Sequence, residues 1–381
     1  MTSVLITGVR APIGLDLARG FAAAGWTPHL ADSIRPWSAR WAGVAQGRVH
    51  RLAPPRFAFE AFAAGLGRLV EELKPALIIP MCEDVFYVAE AGARLGFAEL
   101  VFAPPPEALR TLHSKVEFAA LARRIGLAAP ATRRVSSRDD LDAWRPGADQ
   151  LVFKPEFSRF ASHALVRPDA RALDRIAPTP DAPWAVQDFV GGEELCIWSA
   201  AVRGEVVAFA AYRPLWRLGR SASFYFETDR DPALLEIARR IARETGASGQ
   251  LSFDVIRGPD GAIAPIECNP RGVSGLHLFD SEPRLAQAIM SGKGLEQPAA
   301  DARHLAPAMW LLGLPQAMSQ GRLDAFRRDL ARSQDVFAHE PGAAVGALLD
   351  AWRFTMVGLS RGRSASGQST DDIEWNGEPI A

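Results

Sequence analysis

The first 110 residues alternate between short apolar runs typical of buried strands and longer stretches with helical apolar spacing. The pattern predicts strands and helices in the following order: Val4–Thr7, Ile13–Ala24, Phe59–Leu73, Leu77–Pro80 and Val101–Ala103. Strands that alternate with helices are typical of a parallel sheet covered by helices. We therefore predict an α/β fold of the doubly wound type for this part of the chain.

A capped helix is predicted after the proline-rich segment Pro104–Pro106. Ser114 and Glu117 have the spacing of a capping box, in which the serine side chain accepts a hydrogen bond from the first turn. Gly126 follows the last apolar position and can end the helix.

Strand patterns dominate from Leu151 to about Arg271. One helix interrupts them, with Asp231 as its cap, Pro232 at its first position and Gly246 just beyond its end. This order of residues is a strong helix signal. Residues after about 300 are helical but less regular, and the stretch from Ser360 is rich in serine, glycine and charge, so we expect it to be mobile.

The composition narrows the classes of function. The chain has 381 residues, 48% of them hydrophobic, which is enough for two or three domains with sizeable cores. A formal net charge of -1 gives no electrostatic reason to expect nucleic acid or an anionic membrane as partner. The longest late apolar stretch, Leu305–Met318, contains two prolines and is too short to span a bilayer. The widely spaced Cys82, Cys196 and Cys268 favour a reducing, cytoplasmic compartment.

Candidate chemistry is concentrated in a hairpin predicted around the turn Gly258–Gly261. With a two-residue loop, Asp254 lies opposite Pro265. Because side chains alternate between faces, Asp254, Glu267 and Asn269 then share one face, with the two carboxylates as diagonal neighbours.

Two carboxylates and an amide oxygen form a ligand set that suits Mg²⁺, which usually takes one or two carboxylates together with substrate phosphates. A bridging carboxylate could hold two ions around a transferring phosphoryl group. Arg271, at the end of the same strand, is a candidate for stabilising developing phosphate charge. The alternative is a solvent-facing hairpin whose acids only contact water, and the pattern alone does not decide between the two.

The spacing of Asp254, Glu267 and Asn269, followed by Pro270-Arg271, resembles the metal-binding end of the ATP-grasp superfamily. That family includes D-alanine–D-alanine ligases, biotin carboxylases and carbamoyl-phosphate synthetases. Further motifs occur in the family's order, and together they cover roughly residues 1–300: Lys115 at the capped helix, Lys154 at a strand end, and the segment 185–195.

The resemblance implies a role for each of these residues. Lys115 and Lys154 would contact the phosphates of ATP, and Glu194 would bind the ribose hydroxyls. The adenine would be lined through backbone groups by Gln187, Asp188, Phe189 and Val190. The implied cofactors are ATP and Mg²⁺, as two ions, with Mn²⁺ able to replace it.

One part of the chain departs from the family pattern. Many members have a glycine-rich loop over the phosphates after the strand lysine, whereas residues 155–163 contain no glycine. The candidates for phosphate contacts in this loop are instead Ser158, Arg159 and Ser162.

The resemblance also implies a division of the chain and an activity. A Rossmann-like parallel-sheet domain would occupy residues 1–110, a two-lobed α+β ATP-grasp domain 111–300, and a mostly helical accessory region 301–381, which is also a candidate dimer surface. The implied activity is that of a carboxylate–amine ligase, which forms an acyl phosphate from a small-molecule carboxylate, amino acids among the candidates, and passes it to an amine. The candidate substrate contacts are Arg213, Arg220, Ser274 and Gly275.

The N-terminal turn suggests a different class of protein. Thr7–Gly14 resembles the phosphate-binding turn of short-chain dehydrogenases and epimerases, with Ala11 in place of the middle glycine and Asp32 near the position of a ribose-binding acid. Such enzymes generally need a Tyr-x-x-x-Lys pair, and no tyrosine here has a lysine four residues later. An NAD(P)-dependent oxidoreductase and a non-catalytic nucleotide-binding scaffold remain the alternatives.

Overall fold

The computed structural model describes residues 2–46, 48–158, 164–217 and 223–381. The first elements are β1 (Ser3–Thr7), α1 (Ile13–Ala23), β2 (Thr27–Asp32), α2 (Trp37–Arg40), β3 (His50–Arg51), α3 (Phe59–Leu73), β4 (Leu77–Pro80), α4 (Val85–Leu95) and α5 (Pro106–His113). The strands pair in parallel in the order β3–β2–β1–β4, and we call them the N-terminal sheet. This confirms the predicted parallel α/β arrangement.

Both faces of the N-terminal sheet are covered, which explains the continuous apolar sequence of β1. Val4 and Ile6 pack in a core that includes α1, whereas Leu5 packs in a core that includes α3 and α4. None of the three side chains is exposed. The strand predicted at Val101–Ala103 is reduced to a single bridge to β4.

The next elements are α6 (Lys115–Arg124), β5 (Thr132–Val135), α7 (Arg138–Ala143), β6 (Leu151–Pro155), β7 (Leu165–Val166), α8 (Ala170–Leu173) and β8 (Trp184–Asp188). The strands form an antiparallel sheet in the order β5–β8–β6–β7, which we call the small sheet. Helix α6 has the predicted cap, because the Ser114 hydroxyl accepts a hydrogen bond from the Glu117 backbone N–H. The same hydroxyl bonds to the Glu156 carboxylate and so ties the helix to the small sheet.

The following elements are β9 (Glu193–Val202), β10 (Glu205–Pro214), β11 (Tyr225–Asp229), α9 (Pro232–Thr245), β12 (Gly249–Arg257), β13 (Ile263–Asn269), α10 (Pro283–Ser291), β14 (Ala302–His304), α11 (Ala306–Ala308), α12 (Leu314–Ser319), α13 (Leu323–Arg332) and β15 (Gln334–Asp335). The strands pair in the order β13–β12–β9–β10–β11–β14–β15, which we call the large sheet. Helix α9 has the predicted Asp231 cap and ends at Gly246 in the left-handed conformation. The region after residue 300 is not only helical, because β14 and β15 extend the edge of the large sheet.

The last elements are α14 (Pro341–Ser360) and α15 (Ala365–Gln368). Helix α14 packs closely on α2, since a Cβ at Gly346 would lie 2.4 Å from the Ser38 nitrogen. Its outer face exposes the apolar side chains Val345, Leu348, Trp352, Met356 and Leu359. Within the described ranges, no helix combines the length and apolar content needed to cross a membrane.

Residues 361–381, here called the C-terminal segment, pack against the rest of the protein. Trp375 is 6% exposed and stacks on Phe86 with ring centroids 4.6 Å apart. Asp372 accepts a hydrogen bond of 2.6 Å from Arg10, which lies 362 positions earlier in the chain. The sequence analysis predicted a mobile tail from serine and glycine content, which reflects only local preference, whereas these contacts are formed with distant residues.

Candidate active site

A cleft of about 410 Å³ lies between the small sheet and the large sheet, beside the connection from β8 to β9. It brings together side chains that are far apart in sequence: Lys115, Val152, Lys154, Ser158, Ala164, Val166, Gln187, Asp188, Phe189, Val190, Gly191, Gly192, Glu194, Arg217, Asp254, Ile256, Ile266 and Glu267. The structure thus places both predicted lysines, the predicted adenine segment and both predicted metal-binding carboxylates in one cleft.

Apolar side chains form one set of walls in the cleft. They come from both sheets and are Val152, Val166, Ile256 and Ile266. Phe189, in the connection between the sheets, is 37% exposed. A narrow apolar space between two sheets suits a planar aromatic ring. Strand alternation could have identified Val152 and Ile256, because each lies two positions from a predicted site residue and faces the same way.

Two buried lysines lie in the same cleft. Lys115 and Lys154 are 2% and 6% exposed, and each ammonium group is 3.9 Å from the Glu267 carboxylate. Lys154 Nζ donates a hydrogen bond of 3.2 Å to the Ile266 carbonyl, and Lys115 Nζ donates one of 3.0 Å to the Ser158 carbonyl. Burial lowers the pKa of Lys154 to about 8, although Glu267 acts in the opposite direction. Two positioned ammonium groups suit an anionic ligand such as a phosphate chain.

Asp254 and Glu267 lie directly opposite each other on β12 and β13, which corrects the predicted diagonal pairing. The loop has three residues, Pro259–Gly261, because Gly261 adopts the left-handed conformation and allows a longer turn. A β-bulge adds a further residue, Ile266, to β13. Since the bulge interrupts the alternation of faces, Ile266 and Glu267 both line the cleft.

The charge of Glu267 influences the ionisation of the facing Asp254 carboxyl. Desolvation and then the Glu267 charge raise the pKa of Asp254 to about 7. A divalent cation at this position would remove the repulsion between them. Across the part of the chain that the structure describes, no group of three or more His, Cys, Asp or Glu side chains could hold a metal ion. Two facing carboxylates match the one or two that Mg²⁺ usually takes together with substrate phosphates and water.

Asn269 and Arg271 lie behind Asp254 and are not among the side chains that line the cleft. Arg271 Nη2 donates a hydrogen bond of 3.1 Å to Asn269 Oδ1, and Asn269 Nδ2 lies 3.4 Å from Asp254 Oδ2. The Arg271 guanidinium is also 3.6 Å from Glu83, beyond the end of β4. The Asn269 side-chain oxygen, which the sequence analysis predicted as a metal ligand, therefore accepts a hydrogen bond from Arg271. Arg271, Asn269 and Asp254 thus form one chain of contacts.

Glu194 forms a two-point ion pair with Arg217, at 2.8 and 2.7 Å, and both side chains line the cleft. The pair orients the Glu194 carboxylate and adds a cation that the sequence analysis did not identify. No local motif marks Arg217, which follows the end of β10, the strand that pairs with the one carrying Glu194.

The other predicted substrate residues are not brought to this cleft. Arg213 forms an ion pair of 2.7 Å with Asp229. Ser274 hydrogen-bonds to Tyr212, and a Cβ at Gly275 would lie 3.1 Å from the same tyrosine ring. Some predicted phosphate and substrate residues lie outside the described residues: Arg159, Ser162 and Arg220.

The turn Thr7–Gly14, which resembles a dinucleotide-binding turn, forms close contacts with other residues of the protein. The Asp32 carboxylate accepts hydrogen bonds from the Arg10 guanidinium and, at 2.8 Å, from the Arg10 backbone N–H. Gly8 has a φ of +67°, and a Cβ there would lie 2.6 Å from the Asp84 carboxylate. The acid that a dinucleotide ribose would need is therefore already paired, which weighs against the oxidoreductase alternative.

No protein-family model matches the chain, and no curated protein matches it. Solved structures do share its fold. The L-amino acid ligase of Bacillus licheniformis has a TM-score of 0.54 at 14% identity, covering 76% of this chain and 74% of that one. Phosphoribosylamine–glycine ligase of Thermotoga maritima has 0.59 at 15%, covering 78% and 77%.

A third structure is the biotin carboxylase domain dimer of Hydrogenobacter thermophilus 2-oxoglutarate carboxylase, in complex with MgADP, ADP and bicarbonate. It has a TM-score of 0.58 at 12% identity, covering 80% of this chain and 72% of that one. The common architecture of these proteins is the ATP-grasp fold, and this chain has that fold.

Proposed function

We propose that this chain is an ATP- and Mg²⁺-dependent ligase that activates a small-molecule carboxylate as an acyl phosphate and joins it to an amine. The observation that carries the proposal is the cleft between the sheets, where an apolar space, two buried lysines and two facing carboxylates come together. The solved structures with this fold include an L-amino acid ligase, a phosphoribosylamine–glycine ligase and a complex with MgADP. Amino acids are therefore included among the proposed substrates.

In the proposed complex, each group of residues in the cleft would contact one part of ATP. The adenine would occupy the apolar space beside Asp188–Val190, and the phosphates would extend to Lys115 and Lys154, whose charges neutralise them. Asp254 and Glu267 are the residues that would hold Mg²⁺, while Asn269 and Arg271 keep Asp254 oriented. When bound, Mg²⁺ supplies charge stabilisation to the transferring phosphoryl group.

The proposed reaction has two bond exchanges. A substrate carboxylate oxygen attacks the γ-phosphorus of ATP, and the bond between this phosphorus and the β,γ-bridging oxygen breaks to release ADP. The amine nitrogen then attacks the acyl carbon, the carbon–oxygen bond to phosphate breaks, and the amine loses a proton. The protein contributes mainly by positioning the reactants and excluding water, because an acyl phosphate hydrolyses readily.

Hydroxylamine provides a direct test, because it traps acyl phosphates as stable hydroxamates. The chain would be incubated with MgATP, hydroxylamine and pools of carboxylic acids that include the amino acids. We expect ADP release together with a hydroxamate of matching mass, and neither product when EDTA removes the metal. ADP release without a hydroxamate, or ATP that stays intact with every pool, would contradict the ligase proposal.

We expect the affinity for ATP to fall as the pH rises from 7 to 9. Lys154, with a pKa of about 8, is mostly charged at the lower pH and mostly neutral at the higher one. The loss of this charge should weaken binding about tenfold. Lys154→Arg should remove most of the pH dependence, since a guanidinium stays protonated throughout. Calorimetry on both proteins measures the difference, and equal slopes would show that Lys154 is not the titrating group.

A further inference from the structure

We infer that the C-terminal segment completes another cavity, which holds a zwitterionic reactant of the proposed ligase. This cavity, here called the polar cavity, has a volume of about 640 Å³. Its walls come from three distant parts of the chain: Arg56, residues 155–158 with 182–184, and residues between 362 and 376. The inference rests on the proposed ATP-dependent ligase function and adds a site and a substrate class to it.

The polar cavity adjoins the nucleotide cleft at the end where the phosphates would lie. Strand β6 begins at Leu151, which pairs with Asp188 beside the proposed adenine position. Lys154 lines the nucleotide cleft, and the next residue, Pro155, lines the polar cavity from the opposite face of the strand, because side chains alternate along β6. Ser158 lines both cavities. The Ser158 carbonyl accepts a hydrogen bond from Lys115 Nζ, so a molecule that occupies the polar cavity beside Ser158 would lie near the proposed phosphate position.

Charges of both signs line the polar cavity. The Arg56 guanidinium lies 3.5 Å from the Glu374 carboxylate, 3.6 Å from that of Glu378 and 3.9 Å from that of Asp371, and it donates a hydrogen bond of 3.4 Å to the Asp371 carbonyl. All of these distances are longer than the roughly 2.7–2.9 Å of a direct charge-assisted hydrogen bond. A ligand carboxylate could therefore form a closer, two-point pair with Arg56. Asp371, which also pairs with Arg363, and Glu374 supply negative charge for a ligand ammonium group.

The remaining polar lining consists of hydroxyl and amide groups: Ser158, Ser364, Ser366, Thr370 and Asn376. Such groups can satisfy the hydrogen bonds of a small charged molecule. A site that offers both signs of charge favours a ligand that carries both over a simple anion or an apolar acid. The volume is in the range of small-molecule sites. These properties together point to a free amino acid.

The C-terminal segment is held in place by contacts of its own, so the polar cavity is preformed. The Tyr87 hydroxyl donates a hydrogen bond of 3.0 Å to the Glu374 carbonyl. Arg10 bonds to Asp372, and Trp375 is buried against Phe86. A preformed site does not have to order its own walls when the ligand binds, which favours affinity.

Arg56→Gln tests the inference, with Arg94→Gln as the matched control. Arg94 also contacts the C-terminal segment, through the Ile380 carbonyl, and pairs with Glu60 and Glu90, but it does not line the polar cavity. Calorimetry would titrate pooled and then single L-amino acids into each protein, in the presence of Mg²⁺ and a non-hydrolysable ATP analogue. The amide of each binding amino acid, which lacks the carboxylate, would be compared with the free acid.

We expect at least one free amino acid to bind the unchanged protein, and its amide to bind about tenfold more weakly or worse. Arg56→Gln should weaken binding of the free amino acid by a similar factor, whereas Arg94→Gln should leave this binding unchanged. The affinity for the ATP analogue should be the same in all three proteins. Arg56→Lys keeps the charge but not the two-point geometry. Arg56→Lys should therefore bind the free amino acid with an affinity between those of the unchanged protein and Arg56→Gln. If Arg56→Gln does not fold, Arg56→Lys takes its place in the test.

Two results would overturn the inference: no amino acid binding at millimolar concentration, or equal binding by Arg56→Gln and Arg94→Gln. The hydroxylamine assay on the same samples separates this inference from the proposed function. Hydroxamate formation with unchanged amino acid affinity in Arg56→Gln would leave the ligase proposal intact and remove the polar cavity from it. Arg56-dependent amino acid binding without ADP release would support the site and contradict the ligase.

Discussion

Replacing Glu267 with glutamine is expected to reduce Mg²⁺-dependent ADP formation by a factor on the order of 10³ or more. Glu267 lies opposite Asp254 and is 3.9 Å from both cleft lysines, so in the proposed site its charge would act on the metal and on the lysines together. Glutamine keeps the shape of the side chain but removes that charge. The remaining Asp254 carboxylate should then hold Mg²⁺ poorly beside two ammonium groups.

The measurement is ADP release under the conditions that give hydroxamate with the unchanged protein. Glu205→Gln is the matched control, because Glu205 lies on the same sheet, is exposed and is 3.7 Å from Arg243; it should keep full activity. Circular dichroism and thermal unfolding would show that both variants are folded. Full activity in Glu267→Gln would rule out the carboxylate pair as the metal site.

Replacing Trp375 with alanine is expected to lower the free energy of unfolding by about 3–5 kcal/mol. The indole ring stacks on Phe86 and meets the Phe157 ring edge-on, with centroids 5.3 Å apart. Its Nε1 donates a hydrogen bond of 2.7 Å to the Glu378 carbonyl. Alanine would leave a cavity between the N-terminal sheet's helices and the small sheet, and it would free the C-terminal segment.

Trp352→Ala makes the same chemical change at a position on α14 that is 61% exposed. It should change the stability by no more than about 0.5 kcal/mol. Urea unfolding followed by circular dichroism would compare the two variants. A loss for Trp375→Ala no larger than that for Trp352→Ala would show that the C-terminal segment does not contribute to the core in solution.

The helix boundaries could be predicted from sequence because their signals are local. The Ser114 cap and the Asp231, Pro232 and Gly246 series act through atoms within a few residues of the helix end. Such contacts do not depend on how distant parts of the chain fold. Helix α3 begins and ends where its apolar spacing predicted for the same reason.

In the hairpin of β12 and β13, the predicted strand register is wrong, but the prediction that Asp254 and Glu267 share one face is right. The three-residue loop at Pro259–Gly261 shifts the pairing by one position, and the bulge at Ile266 shifts it by one more. Each shift alone would have moved Glu267 to the opposite face from Asp254, because faces alternate with every residue. The two shifts together restore the shared face, and neither could be derived from the turn residues alone.

Long-range contacts account for what the sequence did not reveal. Arg217 lies beyond the end of β10 and pairs with Glu194 on β9, and no sequence motif links the two positions. The packing of Trp375 likewise depends on rings from two separate parts of the fold. Periodicity and turn signals describe neighbours along the chain, so partners of this kind become visible only when the sheets are assembled.

The burial of Trp375 also has a consequence for the order of folding during synthesis. The core that contains Phe59 and Tyr87 also contains Trp375, whose codon is read long after the N-terminal sheet has left the ribosome. Proteins usually complete their domains from the N-terminus onward as they emerge. In this chain the core beside the N-terminal sheet is completed only once Trp375 has been made, so the apolar surface that Trp375 covers stays open until then.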